Sequence, residues 1–406
     1  MLRNAIVGQS GGPTAVINAS LAGVLSGCRE GGVPTVYGMR YGVQGLLKGQ
    51  TIDLSAAIST EEDERLLCET PASYLGSCRY KLPDPDTDPQ DCERIFAALG
   101  ELNVGFFFYI GGNDSMDAIC KLSDYAAKVG SDVRFIGVPK TIDNDLMLTD
   151  HTPGYGSAAK YIATSVKELV RDSTIYDIKS VTVVEIMGRN AGWLTAAAAL
   201  ARDADCEGAA LICLPELPFE AERFLDRIDQ LQRTQPSLVV CVSEGMRMVD
   251  GRYVCELGAD TLRVDAFGHK YLGGTAQTLA SLIAGRLGVK TRGVELSTLQ
   301  RCASHAASRT DVREAFHAGE AAVKAALSGK TGQMVSLRRT GDDPYGCEMA
   351  LCAAHEVANR EKTVPLEWID HENFDVREPF LRYARPLILG DLQQTMVSGL
   401  PRHLVR

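Results

Sequence analysis

Short apolar runs recur along this 406-residue chain, each stopping at a glycine-bearing or polar loop and most followed by a helix-length segment. They cover Asn4–Gly8, Pro34–Gly38, Val104–Ile110, Val133–Val138, Val181–Met187, Ala209–Leu214 and Leu238–Ser243. Runs such as Phe106-Phe107-Phe108-Tyr109-Ile110 read as parallel strands covered on both faces, since neither set of alternate residues is polar. Helical segments over Thr14–Cys28, Ser115–Val129, Ser157–Arg171, Ala191–Ala201 and Glu220–Arg233 lie between most of them. Strand then helix, repeated, predicts a doubly wound α/β protein. With no flexible linker or internal repeat, two lobes that exchange chain segments fit the pattern. Such sheets bind ligands beyond the carboxyl ends of their strands, so the loops there are where chemistry is expected.

Composition narrows the choice. With 42 basic against 52 acidic side chains the net charge is −10, which disfavours nucleic acid or an anionic membrane as partner. An anionic ligand must then be met by a local basic cluster. The uncharged stretch Asn190–Ala201 lies between two arginines and is too short to cross a bilayer. The N-terminal residues lead straight into a strand without a signal-peptide core, and the 12 cysteines include no C-x-x-C pair, so a cytoplasmic protein with reduced thiols is expected.

Three loops carry candidate chemistry. Gly8-Gln9-Ser10-Gly11-Gly12-Pro13-Thr14 joins a strand to a helix, a geometry in which backbone N–H groups cradle phosphate, or which serves only tight packing. Gly111-Gly112-Asn113-Asp114-Ser115 ends the most apolar strand. Asp114 or Ser115 there either caps a helix starting near Met116 or belongs to a metal and phosphate site. Pro139-Lys140-Thr141-Ile142-Asp143-Asn144-Asp145 sets two carboxylates at i and i+2 beside a lysine. This set can hold a sugar hydroxyl, take its proton and neutralise phosphate charge, if a rigid loop brings the base within hydrogen-bond reach. A surface Asx-turn is the alternative.

GQSGGP, GGNDS, PKTIDND and Met187-Gly188-Arg189, in that order, resemble the phosphofructokinase family, specifically its pyrophosphate-dependent branch. The resemblance covers Asn4 to Gly274. It implies two Rossmann-like lobes with helices on both sheet faces, one of residues 1–145 with about 256–310 binding diphosphate. The other, 146–255 with about 311–406, would bind fructose 6-phosphate. The implied reaction is reversible phosphoryl transfer from Mg²⁺-bound pyrophosphate to the sugar's C1 hydroxyl, yielding fructose 1,6-bisphosphate and phosphate.

The resemblance also assigns residues. Asp143 is the implied base, with Thr141, Ile142 and Asp145 as its substrate-facing partners. Met187, Gly188, Arg189 and Glu244 line the sugar phosphate and hydroxyls. Arg263 and His269 grip the 6-phosphate, with Arg263 reaching in from a second subunit, so a homodimer or homotetramer is implied. Ser180 and Leu272 stand where relatives carry further arginines, and Lys270, or Arg382 or Arg385, is a candidate replacement for the one missing at Leu272. Gly11, Gly12, Arg79 and Lys81 would contact the donor, and Asn113 takes the metal position.

Two charged residues set the expected donor. Members that use ATP have glycine where this chain has Asp114 and Lys140. A carboxylate beside the nucleotide's α-phosphate would repel it by about 4 kcal/mol at 4 Å and an effective dielectric near 20. Lys140 instead suits a compact pyrophosphate, stabilising charge on the leaving phosphate. The competing expectations are an ATP-dependent enzyme that tolerates both charges and a non-catalytic sugar-phosphate-binding subunit.

Overall fold

The computed structural model describes residues 2–258 and 272–405. Its strands in chain order are β1 (Asn4–Gln9), β2 (Val36–Met39), β3 (Thr51–Asp53), β4 (Val104–Gly111), β5 (Arg134–Pro139) and β6 (Ser180–Ile186). They continue as β7 (Leu211–Cys213), β8 (Ser237–Ser243), β9 (Lys290–Glu295), β10 (Gln333–Asp342) and β11 (Tyr345–Ala353). The longer helices are α1 (Ile17–Glu30), α2 (Gln90–Glu101), α3 (Asn113–Val129), α4 (Tyr155–Ser173), α5 (Ala221–Leu231), α6 (Thr275–Leu287) and α7 (Arg309–Leu327).

The chain divides into two compact units. Unit 1 comprises Met1–Ser157, Arg301–Glu361 and Leu389–Arg406. Its seven-stranded sheet runs β11-β10-β5-β4-β1-β2-β3, parallel except at β3 and β11, which pair antiparallel at its two edges. Alternation along the strands explains their unbroken hydrophobicity. Ala5, Val7, Phe108, Ile110, Ile136 and Val138 pack against α1 and α7, while Ile6, Phe107, Tyr109 and Phe135 pack on α2 and α3.

Unit 2 comprises Ala158–Gln300 and Lys362–Ile388, around an all-parallel four-stranded sheet ordered β7-β8-β6-β9. Val181, Val183, Leu238, Val240 and Val242 form its core with Phe224, Leu279 and Ile283 from α5 and α6. No helix among the described residues is long and apolar enough to cross a membrane. The twelve cysteines are free thiols.

Each expected strand is present, within two or three residues at its ends. The expected helix over Ala191–Ala201 is a single α-turn, Trp193–Ala196, that tightens into a 3₁₀ turn. The C-terminal division differs from the one expected. Strand β9 pairs with β6 and α6 packs on it, so the segment through Gln300 belongs to unit 2 rather than to the first lobe. Strand β10 pairs with β5 and α7 packs on α1, which draws Arg301–Glu361 into unit 1.

The α1–α7 contact depends on two glycines. A Cβ on Gly23 would lie 1.9 Å from the Phe316 carbonyl oxygen, and one on Gly319 would lie 2.3 Å from that of Ser20. The two backbones approach because neither position carries a side chain. Gly23→Ala should lower unfolding free energy by about 1–3 kcal/mol, the usual cost of overpacking, read as a lower urea midpoint with unchanged slope.

Candidate active site

Three loops of unit 1 meet where β1, β4 and β5 end. Parallel pairing sets Gln9 beside Ile110 and Gly111 beside Pro139, so the loops leave side by side. After β1, Gly11 takes φ of +75°, its N–H donates to the Cys78 carbonyl at 3.2 Å, and its own carbonyl accepts from Ser77 Oγ at 2.6 Å. That contact secures the loop to the segment carrying Arg79 and Lys81, both exposed.

Lys140 is buried at 3% exposure, and its Nζ donates to the Gly12 carbonyl at 2.6 Å. Its backbone N–H donates to the Gly111 carbonyl at 3.0 Å. One residue therefore joins all three loops. Burial pushes the ammonium pKa down to about 8; Asp143 and Asp145 oppose that shift, while Arg301 and Arg79 add to it.

Hydrogen bonds within and behind it fasten the Asp143 loop. Asp143 donates its backbone N–H to Thr141 Oγ1 at 3.0 Å. Asn144 is fully buried with φ of +56°, and its Oδ1 accepts from the Thr152 backbone N–H at 3.0 Å. Thr152 Oγ1 in turn donates to the Thr141 carbonyl at 3.0 Å. Asn144 tolerates the left-handed conformation better than most residues and fastens it with its side chain. Asp143 and Asp145 on either side remain half-buried, and Thr141 and Ile142 are buried.

Helix α3 begins at Asn113, earlier than expected, with Gly112 as its N-cap residue. Asp114 lies in the first turn and is exposed, favourably placed for the helix dipole. The two charges singled out from the sequence thus differ: the lysine is enclosed and the carboxylate faces solvent. Asn113 Oδ1 is buried and has no hydrogen-bond partner, an uncommon condition for an amide oxygen.

In unit 2, parallel β6 and β8 deliver Met187-Gly188-Arg189 and Ser243-Glu244-Gly245 side by side. The Gly188 N–H donates to Glu244 Oε1 at 3.4 Å, and Ser243 Oγ donates to the Gly188 carbonyl. Gly188 has φ of +136°, and a Cβ there would lie 2.6 Å from the Ala191 carbonyl oxygen, so the loop needs glycine twice over. Met187 donates its backbone N–H to Gln300 Oε1 at 3.2 Å. Arg263, His269 and Lys270 lie outside the described residues.

The phosphofructokinase family model matches residues 4–295 of the chain, which include all these loops. The chain belongs to the phosphofructokinase family. It is 43% identical over 411 residues to a pyrophosphate–fructose 6-phosphate 1-phosphotransferase of Methylococcus capsulatus, an alignment covering 99% of this chain and 95% of that protein. To the enzyme of the same name from Halomonas elongata it is 41% identical over 405 residues, covering 98% and 95% of the two chains. The crystal structure of a pyrophosphate-dependent phosphofructokinase from Nitrosospira multiformis matches with a TM-score of 0.89 at 35% identity, covering 99% of this chain and 96% of that one.

Within this phosphofructokinase-family chain, sequence reasoning missed Arg301. A Cβ on Gly12 would lie 3.4 Å from Arg301 Nη1, so this guanidinium stands against the glycine loop. No local motif marks it, because it reaches the loop by folding from almost 300 residues away. Arg382 and Arg385, the other replacements considered from sequence, are exposed side chains of unit 2. Glu216 was also missed: its Oε1 accepts the N–H groups of Gly192 at 2.7 Å and Val364 at 2.9 Å, bracing the turn after Arg189.

Lys140 supplies a pH prediction. Its folded pKa of about 8 lies below the ordinary lysine value of 10.5, so the unfolded chain holds this proton more tightly. The group costs stability below pH 8, and the cost fades between pH 8 and 10.5. A function that needs the ammonium shows the opposite trend: kcat/KM for the phosphoryl donor should fall as pH rises through about 8. Lys140→Met should be slower and lack that alkaline limb in a pH–rate profile.

Proposed function

We propose that this protein transfers a phosphoryl group reversibly from pyrophosphate to the C1 oxygen of fructose 6-phosphate, giving fructose 1,6-bisphosphate and phosphate. The observation that carries this reading is the buried Lys140 ammonium joining the glycine loop to the loop of Asp143. Unit 1 holds the donor: the Gly11 and Gly12 backbone, Lys140, Arg301 and Arg79 provide fixed positive charge around a small polyanion. Arg79 and Lys81 are exposed and meet the outer phosphate.

Asp143 accepts the C1 hydroxyl proton as the oxygen attacks, with Asp145 orienting the sugar. Thr141 acts chiefly by holding Asp143, since its hydroxyl already accepts that residue's N–H. Arg189 pairs with the sugar phosphate and Glu244 with its hydroxyls, from loops that brace each other in unit 2. Arg263 and His269 complete the phosphate grip, with Arg263 supplied by a second copy of the chain. The protein therefore works as a homo-oligomer in the cytoplasm.

A divalent ion, Mg²⁺, accompanies the donor. The unpartnered, buried Asn113 Oδ1 fits a hard cation, directly or through water, and the exposed Asp114 adds negative charge one residue on. When bound, the ion neutralises donor oxygens. Asp114 also repels the α-phosphate of a nucleotide, favouring the smaller donor.

Coupled assays offering pyrophosphate or ATP at equal concentration with Mg²⁺ should show turnover with pyrophosphate and little with ATP. Efficient ATP turnover with none on pyrophosphate would falsify the donor assignment. Asp143→Asn should lower kcat by roughly 10²–10⁴-fold while fructose 6-phosphate still binds. Binding can be read from tryptophan fluorescence, since Trp193 and Trp368 are the only two tryptophans and both belong to unit 2. Full activity of that variant would remove Asp143 from its role.

A further inference from the structure

Behind the Asp143 loop lies a second cluster that the phosphoryl-transfer reading leaves unused. His151 is buried at 1% exposure and Glu314, on α7, at 8%; Cys347, on β11, is half-buried. One ligand atom from each, a ring nitrogen, a carboxylate oxygen and a sulfur, lies within 4.8 Å of the other two. We infer that His151, Glu314 and Cys347 form a binding site for one borderline-soft divalent cation of the Zn²⁺ type, separate from the donor's ion.

The imidazole is held between two carboxylates. His151 Nε2 faces Glu314 Oε2 at 2.7 Å, while Nδ1 donates to Asp150 Oδ2 at 2.7 Å. Asp150 is itself held by Arg339, with Nη2 at 3.0 Å and Nε at 3.2 Å. A carboxylate fixed on one ring nitrogen sets the tautomer that directs the other at a metal. Glu314 Oε1 accepts from the Tyr345 hydroxyl at 2.6 Å, which orients the carboxylate from the other side.

The donor set selects the ion. Nitrogen, oxygen and sulfur together suit Zn²⁺ or Co²⁺, whereas Mg²⁺ and Ca²⁺ prefer all-oxygen shells. Tetrahedral Zn²⁺ bonds require ligand atoms roughly 3.4 Å apart, so His151 and Glu314 need to separate by less than a bond length. The fourth position is left for water. The dication takes the place of two protons, one on the imidazole and one on the thiol, so the cluster's net charge is unchanged.

The site adjoins the reaction loop in sequence. Thr152, next to His151, carries the bonds to Asn144 and Thr141 that hold Asp143. An ion would therefore tie α7 and β11 to that loop.

The test uses the full chain after treatment with a chelator. Added Co²⁺ alone should produce a thiolate charge-transfer band in the near ultraviolet that saturates at one equivalent, and Zn²⁺ should abolish it by competition. Cys347→Ala should remove the band, weaken Zn²⁺ binding in equilibrium dialysis by at least about tenfold, and remove the Zn²⁺-dependent rise in Tm. Cys347→Ser serves if the alanine variant does not fold. Glu314→Gln should weaken Zn²⁺ binding in the same direction. Absence of the band in the parent protein, or an equal band in either Cys347 variant, would overturn the assignment, because other thiols would then account for any binding.

Discussion

A lysine ammonium enclosed among three loops is the interaction on which the arrangement of the unit 1 loops depends. Desolvating a charge is costly unless it is hydrogen-bonded and paired, and Lys140 meets that requirement with the Gly12 carbonyl and the fields of Asp143 and Asp145. The compensation is partial, as its lowered pKa records. What remains uncompensated favours additional negative charge, which the polyphosphate of the proposed reaction would supply. The same side chain holds the glycine loop in place, so a substitution at this position alters loop geometry as well as charge.

Strand and loop positions were legible in the sequence because both faces of the central strands are covered. Val104–Ile110 has no polar alternate, and from Phe106 onward the structure places its even and odd residues in two different cores. The strands that escaped notice are the ones lacking this signature. β9 reads Lys-Thr-Arg-Gly-Val-Glu with only exposed or half-buried residues, β10 loses its apolar run at Arg338-Arg339-Thr340, and its antiparallel partner β11 is an edge strand with no fully buried residue. Missing them also displaced the expected division of the C-terminal third, since those pairings decide which sheet each segment joins.

The candidate site was legible to the extent that the residues expected in it follow strand ends. Lys140, Asp143, Arg189 and Glu244 all do. Arg301 does not, and its proximity to Gly12 is produced entirely by tertiary structure. Asn144 was within a recognised motif, yet its function as the buried fastener of that loop follows from a backbone conformation that residue type alone only suggests. The roles of Asp114 and Lys140 were read together from sequence, but their environments are opposite, one solvated and the other enclosed.

The way the chain threads its two units has a consequence for biosynthesis. Unit 2 is complete but for Lys362–Ile388 once residue 300 has been made, whereas β5 waits for β10 and α1 waits for α7, partners almost 200 and 300 residues downstream. A ribosome therefore releases a chain whose inserted unit can pack early, while the unit that starts first exposes an apolar helix face and an open sheet edge until late in translation. That order leaves the first unit with unpaired apolar surface for longer, and it links completion of the sheet that carries the Gly11, Asn113 and Asp143 loops to arrival of the C-terminal third.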